Sequence, residues 1–438
     1  MAGRAVSEPL LFEMNEIASG PDLRVGRSGT FADNMSLPVH RWFRYSAGLS
    51  AEWAEREISA HAAEDDVILD PFLGSGTTVL AAQKAGRRSF GFEAHPFIHR
   101  IASIKVAWPG VDEDRLMRLA QDLVAMATGL RQPAPQTANE LLLKCYSPDV
   151  LVELEALKAA YISYRESGQP DADMVWLALT AILRSCSAVG TAQWQYVLPN
   201  KRKAKVLRPF TAFLDKMAAM AADIRQYRAT GAGIDAQVIG ADIRGSNIIP
   251  YGKAGLVITS PPYPNNYDYA DAVRLEMSFW GEVETWADLH NAVRRYLVRS
   301  CSQHTAKDRL QLEELLADPA LEPIRPDLED VCHRLAEIRT TKAGKKTYHT
   351  MIAAYFSDLA ATWCSLRGMT RAGATVCFVI GDAAPYGVYV PVDDWLIRLA
   401  EAAGFSGGRF EHLRARNVKW KNRKHTVPLK EGRLWLKG

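Results

Sequence analysis

Hydrophobic positions along this chain follow two rhythms. Short apolar runs stopped by glycine, proline or an acid read as buried strands, and longer stretches with apolar residues at helical spacing read as helices. "LSAEWAEREISAHA" predicts a helix capped by Ser50, with Trp53, Ile58 and Ala62 on one face. "DVILDPFLGSGTTVLAAQKAG" then reads as strand, glycine turn and helix. Val67, Ile68 and Leu69 form the strand, Gly74 and Gly76 the turn, Val79 to Ala82 open the helix, and Gly86 ends it. "RRSFGFEAHP" is a second strand, closed by an acid. Together they make a β-α-β start, for which parallel strands are expected.

The alternation stops near residue 105. Between 105 and 235 four helices are predicted: "EDRLMRLAQDLVAMATGL", "PDVLVELEALKAAYISYR", "DMVWLALTAILRSCSAV" and "LRPFTAFLDKMAAMAADIRQYRAT". The basic stretch "GTAQWQYVLPNKRKAK" between the last two shows no clear period. Strand signals resume at "AQVIGADIRG" and "AGLVITSPPY", and a charged, helical excursion follows from 284 to 347. "YHTMIAAYFSDLAATWCSLRGM" is a helix leading into the strand "ATVCFVIGDA". "VDDWLIRLAEAAGF" is another helix, and "GRFEHLRARN" and "GRLWLKG" read as closing strands. This order predicts an α/β fold, a doubly wound sheet interrupted by two large helical insertions.

Composition adds limits rather than a function. The chain has 438 residues, 48% of them hydrophobic, enough for a large core. Its 53 basic and 50 acidic residues leave a net charge of +3, so a nucleic-acid partner would have to show itself in local clusters. None of the six cysteines forms a Cys-x-x-Cys pair, which argues against zinc ribbons and disulfide frameworks. No metal is expected, and free thiols fit a reducing cytosol. Glu8, Glu13 and Glu16 interrupt any signal-peptide core, and no window reaches the roughly 18 apolar residues of a membrane span. The expectation is an intracellular, cytoplasmic protein with no membrane partner.

The glycine turn is the first candidate for chemistry. A ligand lying against the backbone at the carboxyl end of the first strand excludes Cβ atoms, and the helix starting near Thr77 points free amides at that crevice. A lone Gly-x-Gly is as often only a tight turn. Two companions sharpen it. Glu93 ends the second strand, where a carboxylate can take both ribose hydroxyls, and Asp242 ends the third, where an acid can accept from an adenine amine. There is no Gly-Lys-Ser/Thr, and position 79 is Val where Gly-x-Gly-x-x-Gly needs glycine. An adenosine ligand without phosphates is favoured, which means S-adenosylmethionine.

With these motifs in register, the chain resembles the amino-methyltransferases of DNA. "DPFLGSGTT" resembles their cofactor motif and "TSPPY" their catalytic motif, in the form commonest among N4-cytosine enzymes. Adenine enzymes more often carry Asp in place of Ser260. "HRWFRYSAGLSAEW" resembles the segment that closes over the methionine end of the cofactor, and "HTVPLKEGRLWLKG" the last strand. The resemblance implies a Rossmann-like methyltransferase sheet. Its catalytic domain would comprise 36–104, 236–283 and 346–438, after an N-terminal arm over 1–35. Insertion 105–235 is then a candidate target-recognition region, with 284–345 as a rival. It also implies a cofactor set of Tyr45, Ser46, Asp70, Pro71, Phe72, Gly74, Ser75, Gly76, Thr77, Glu93, Asp242 and Ile243.

The catalytic reading falls on Ser260, Pro261, Pro262 and Tyr263. An exocyclic amine is a poor nucleophile because its lone pair is delocalised into the ring. Two acceptors for its N–H bonds, the Ser260 hydroxyl and the Pro261 carbonyl, would favour a tetrahedral nitrogen and disperse developing charge. Prolines add no competing donor and hold that carbonyl in place. Tyr263 offers a stacking face for a base flipped out of the duplex, and Asn265, Asn266 and Tyr267 would edge its pocket. The bland alternative is a strand ending in a proline turn with tyrosines on the sheet rim. Three basic stretches are candidate phosphate contacts, with solvated loops as the alternative. They are 200–208 with Lys201, Arg202 and Lys203; 414–425 with Arg416, Lys419 and Lys421; and 340–349. His95 reads either as a ligand contact or as part of a capped strand end, and Asp382 stands at another strand end.

The expected activity is methyl transfer from S-adenosylmethionine to cytosine N4 in DNA. The same chemistry on adenine N6 or an RNA base stays open, as does a non-catalytic nucleic-acid-binding subunit on the same scaffold. No endonuclease constellation stands out in the chain, so a restriction partner would be a separate polypeptide.

Overall fold

A computed structural model describes residues 31–166, 171–192, 195–231, 233–308, 310–342, 346–416 and 427–438. Most of the arm expected over 1–35 therefore lies outside the described residues, as do Lys419 and Lys421. The strands are β1 (Ile68–Asp70), β2 (Ser89–Phe92), β3 (Val189–Thr191), β4 (Val197–Arg202), β5 (Ala236–Ile239), β6 (Ala254–Thr259), β7 (Thr370–Gly381), β8 (Ser406–Arg416) and β9 (Leu429–Lys437). Seven of them form one sheet in the order β5-β2-β1-β6-β7-β9-β8, and β3 and β4 form a separate hairpin. β5, β2, β1, β6 and β7 run parallel, while β9 is antiparallel to both β7 and β8.

The period of two along each strand divides the sheet between two helical layers. Ile68, Leu256, Ile258, Cys377, Val379 and Trp435 face α1 (Ala51–His61) and α2 (Thr77–Lys84). Leu69, Phe90, Phe92, Val257, Val376, Phe378, Ile380 and Leu434 pack into the opposite core. Ser50 caps α1 by accepting from the Trp53 amide, as its sequence predicts.

The first insertion follows α3 (Pro96–Val106) and contains α4 (Glu113–Leu130), α5 (Glu140–Cys145), α6 (Pro148–Glu166), α7 (Ala172–Cys186), the β3–β4 hairpin and α8 (Pro209–Ala229). The hairpin occupies the stretch that showed no periodicity. Its second strand carries Pro199 and a run of basic residues, so no apolar alternation marks it. After β6 come α9 (Arg274–Trp280), α10 (Leu289–Ala292), α11 (Ser302–Asp308), α12 (Leu312–Leu316) and α13 (Arg325–Thr340). α14 (Tyr348–Met369) and α15 (Val392–Ala402) then pack with α12 and α13 over the second sheet face.

The first insertion shares one continuous core with the N-terminal segment, which includes Val39, Trp42 and Tyr45 as well as α3 and α9 residues. Asp223 on α8 is the polar tie. It is wholly buried and accepts from the Val39 amide at 3.0 Å, Trp42 Nε1 at 2.9 Å and Arg41 Nε at 3.1 Å. Val39 sits at φ 61°, a left-handed conformation costly for a β-branched residue, and its bond to Asp223 holds it there. Asp223→Ala should orphan two buried donors and a guanidinium, lowering stability by roughly 3 kcal/mol in urea unfolding followed by tryptophan fluorescence.

Candidate active site

The carboxyl ends of β1, β2, β5 and β6 open on one cleft, at the edge where ligands bind in open α/β sheets. Tyr45, Pro71, Phe72, Gly74, Glu93 and Asp242 line it, with Ile243, Ser260 and Pro262. Nine residues singled out in five separated stretches of sequence thus meet at one place.

The glycine turn is built for close approach. Gly74 and Gly76 take φ of 56° and 91°, where any other residue would be strained, and a Cβ on Gly74 would meet the Tyr45 ring at 3.3 Å. Lys105, buried on α3, supports the turn from behind by donating to the Ser75 carbonyl at 2.9 Å. Burial pulls its ammonium down to about 7. Ser75 Oγ and Thr77 Oγ1 are buried without a hydrogen-bond partner.

Behind the turn lies Asp70. It is 2% exposed and accepts from Thr78 Oγ1 at 2.6 Å, Thr259 Oγ1 at 2.6 Å and the Phe72 amide at 3.0 Å. Burial pushes its carboxyl up to about 6 against the pull of these three donors. Asp70 therefore faces the protein rather than the cleft. The expectation that it touches the cofactor gives way to a bracing one, because both its oxygens are taken.

Glu93 stands on the cleft wall after β2. Its Oε1 accepts from the His95 amide at 2.7 Å, and burial, opposed by backbone amides of His95 and Gly74, raises the carboxyl to about 8. Asp242 lines the cleft but is gripped by Arg244, which also pairs with Asp358. His95 is 1% exposed, lines the cleft, and has no partner at either ring nitrogen, and burial lowers its imidazole to about 3.

Ser260 follows β6 at the cleft edge, with its hydroxyl donating to the Val379 carbonyl at 3.2 Å. Pro261 is buried beside it. Tyr263 is half-buried, and the Arg416 guanidinium lies 5.2 Å from its ring centre.

A sequence profile described as a DNA methylase matches residues 24–103, the stretch containing the glycine turn and Glu93. The type II methyltransferase M.BsoBI of Geobacillus stearothermophilus is 23% identical over 88% of this chain and 82% of its own length. M.AvaI of a Nostoc species is 24% identical over 86% and 81%. The type II methyltransferase M.ScaI of Streptomyces caespitosus matches only 9% of the chain and 13% of its own length, but at 64% identity. The chain is thus similar along most of its length to type II methyltransferases, and residues 24–103 match the DNA methylase profile. The methyl donor of such methyltransferases is S-adenosylmethionine, and the cleft fits it. The glycine cradle under Tyr45 and the Glu93 acceptor, both on the cleft wall, are what a closely approaching amino-acid end and a ribose require.

Several residues expected at the base or on DNA have other partners in this structure. Asn266, at φ 65°, spends its Oδ1 on the Ser302 amide at 2.9 Å and the Ser302 hydroxyl at 2.6 Å, tying the loop after Ser-Pro-Pro-Tyr to the second insertion. Tyr267 is buried between Tyr196 and Tyr269, and exposed Asn265 closes a turn onto the Tyr267 amide. Lys203 turns inward to the Arg184 carbonyl, whereas Lys201 and Arg202 remain exposed on β4. Arg416 also turns inward, donating to the Asp382 carbonyl at 2.9 Å, because Gly381 leaves the room: a Cβ there would lie 2.5 Å from its Nη1. Asp382, buried, accepts from Tyr389. The sequence reading missed Tyr269, which lines the cleft, and Tyr296, Leu297 and Val298, which enter it from the second insertion. Tyr269 stood in the same aromatic run; the other three carry no local signal.

Because folded Asp70 holds its proton more tightly than an unfolded aspartate, the fold gains relative to Asp70→Asn as pH falls from about 6 to 4. The wild-type stability advantage should grow by up to about 3 kcal/mol over that window in urea titrations and shrink as pH rises through it.

Proposed function

We propose that this chain is a type II DNA methyltransferase acting on the exocyclic N4 of cytosine in a base turned out of the duplex. The observation that carries the reading is the Ser260 hydroxyl. It bonds to the Val379 carbonyl and meets the Tyr263 hydroxyl, and it keeps an acceptor lone pair at the rim of the cleft that holds Glu93 and Asp242. S-adenosylmethionine, when bound, supplies an electrophilic methyl group.

The chain's own contribution is placement and polarity. Ser260 Oγ and the Pro261 carbonyl accept the two N–H bonds of the amine, which favours a tetrahedral nitrogen with its lone pair directed away from them. Holding that nitrogen in line replaces a bimolecular encounter. Tyr263, braced by Arg416, and Tyr269 in the cleft lining provide aromatic faces for the extruded base, each stacking contact worth about 1–3 kcal/mol. Glu93 accepts from the ribose, and Tyr45 closes the amino-acid end. Exposed Lys201 and Arg202 on the hairpin suit phosphate contact, which supports assigning target recognition to the first insertion. The serine of Ser-Pro-Pro-Tyr favours cytosine over adenine, and the type II names of the relatives favour DNA and a restriction setting with a separate nuclease.

Incubation with isotopically labelled S-adenosylmethionine and DNA, followed by digestion to nucleosides and mass spectrometry, should yield N4-methylcytosine. N6-methyladenine would transfer the assignment to adenine, and unmodified nucleosides across varied DNA would overturn it. Ser260→Ala should lower turnover by about 10²–10³-fold with cofactor affinity retained.

Glu93 generates a pH test. Its free carboxyl titrates near 8, and accepting ribose hydroxyls favours the ionised form, so binding expels a proton. Cofactor affinity measured by calorimetry should rise with pH from 6 and level off above about 8, and Glu93→Gln should flatten that dependence.

A further inference from the structure

The β3–β4 hairpin belongs to the first insertion, yet the residues that end its turn touch both walls of the cleft. Gln195 is 2% exposed and held at φ 66°, a strained conformation for glutamine. Its Oε1 accepts from the Ser46 amide at 2.6 Å and its Nε2 donates to the Arg44 carbonyl at 2.8 Å. One amide side chain therefore saturates the backbone on both sides of Tyr45, whose ring lies against Gly74 in the cleft. The next residue reaches the other wall. The Tyr196 hydroxyl accepts from the Asp268 amide at 2.9 Å, and its ring packs on Tyr267 at 5.5 Å between centres. This holds the loop that runs from Ser260-Pro-Pro-Tyr to Tyr269, a cleft-lining residue.

The turn is itself anchored. Arg184 on α7 donates to the Gln195 carbonyl, pairs with Glu276 at 2.5 Å and donates to the Ala272 carbonyl at 2.7 Å. A strained residue with all its polar groups spoken for is over-determined by its surroundings, and here those surroundings are the two segments that flank the site.

We propose that Gln195 and Tyr196 are positioning residues with separate duties. Gln195 sets the segment bearing Tyr45 over the cofactor's place, and Tyr196 sets the loop bearing the aromatic faces for the base. This rests on the reading of the cleft given above. The division of labour distinguishes it from a general bracing role, because each residue bonds to a different segment.

The test uses the full chain. Hydrogen-exchange mass spectrometry follows peptides covering residues 40–50 and 262–272, and equilibrium binding of S-adenosylmethionine is measured in parallel. In Gln195→Ala the first segment should exchange faster, the second should be unchanged, and the cofactor Kd should rise about tenfold, the worth of one to two net hydrogen bonds. Gln195→Glu keeps the acceptor for Ser46 and loses the donor to Arg44, so it should fall between wild type and alanine even if the alanine variant folds poorly. In Tyr196→Phe the second segment should exchange faster while the first segment and cofactor Kd stay unchanged, with turnover reduced at saturating cofactor. Equal acceleration of both segments in each variant, or a lowered melting temperature with both segments protected as in wild type, overturns the proposal. A wild-type chain that binds no S-adenosylmethionine would instead sink the reading of the cleft, and the exchange patterns would still decide the duties of Gln195 and Tyr196.

Discussion

The buried Asp70 carboxylate is the interaction on which the rest of the site depends. It sits at the end of β1, the central strand of the parallel part of the sheet, and its three donors come from three places: Phe72 in the glycine-turn loop, Thr78 at the start of α2, and Thr259 at the end of β6. Thr259 immediately precedes Ser260. One carboxylate thus sets the spacing between the cofactor turn and the Ser-Pro-Pro-Tyr segment, residues nearly two hundred positions apart. A charge in that position is tolerated only because each oxygen is hydrogen-bonded.

Around that tie, both insertions reach back to the cleft. The second contributes Tyr296, Leu297 and Val298 to its lining and receives the Asn266 side chain at Ser302. The first contributes the hairpin turn. Neither insertion is an appendage: one continuous apolar cluster runs from the N-terminal segment through the first insertion to α9, and the second shares a core with α14 and the sheet. Their polar attachments (Asp223 to Val39 and Trp42, Asp268 to Arg294, Asp358 to Arg299) are buried carboxylates matched to donors far away in sequence.

Much of this was legible beforehand, for identifiable reasons. The Ser50 cap, the glycine turn and the strand that runs into Ser-Pro-Pro-Tyr are local patterns, governed by backbone geometry and by which residues tolerate it. What was misread shares the opposite property. Asn266 looked like a base reader because an exposed amide beside tyrosines suits that work, yet its partner stands 36 residues later. Arg416 and Lys203 looked like DNA contacts because basic clusters usually face water. Each is drawn inward by a backbone carbonyl, and for Arg416 the space exists only because Gly381 has no side chain. The hairpin was missed because its polar strands owe their place to tertiary partners rather than to an apolar face.

The chain's own pattern was enough to specify the parallel α/β sheet, the glycine turn at its carboxyl edge and the Ser-Pro-Pro-Tyr strand end beside it, since periodicity, glycine conformations and strand ends are set by interactions a few residues long. Tertiary packing alone decided which side chains face the cleft and which are consumed as braces. A carboxylate, amide or guanidinium takes whichever partner satisfies it at least desolvation cost, and those partners are brought within reach only when distant segments fold together.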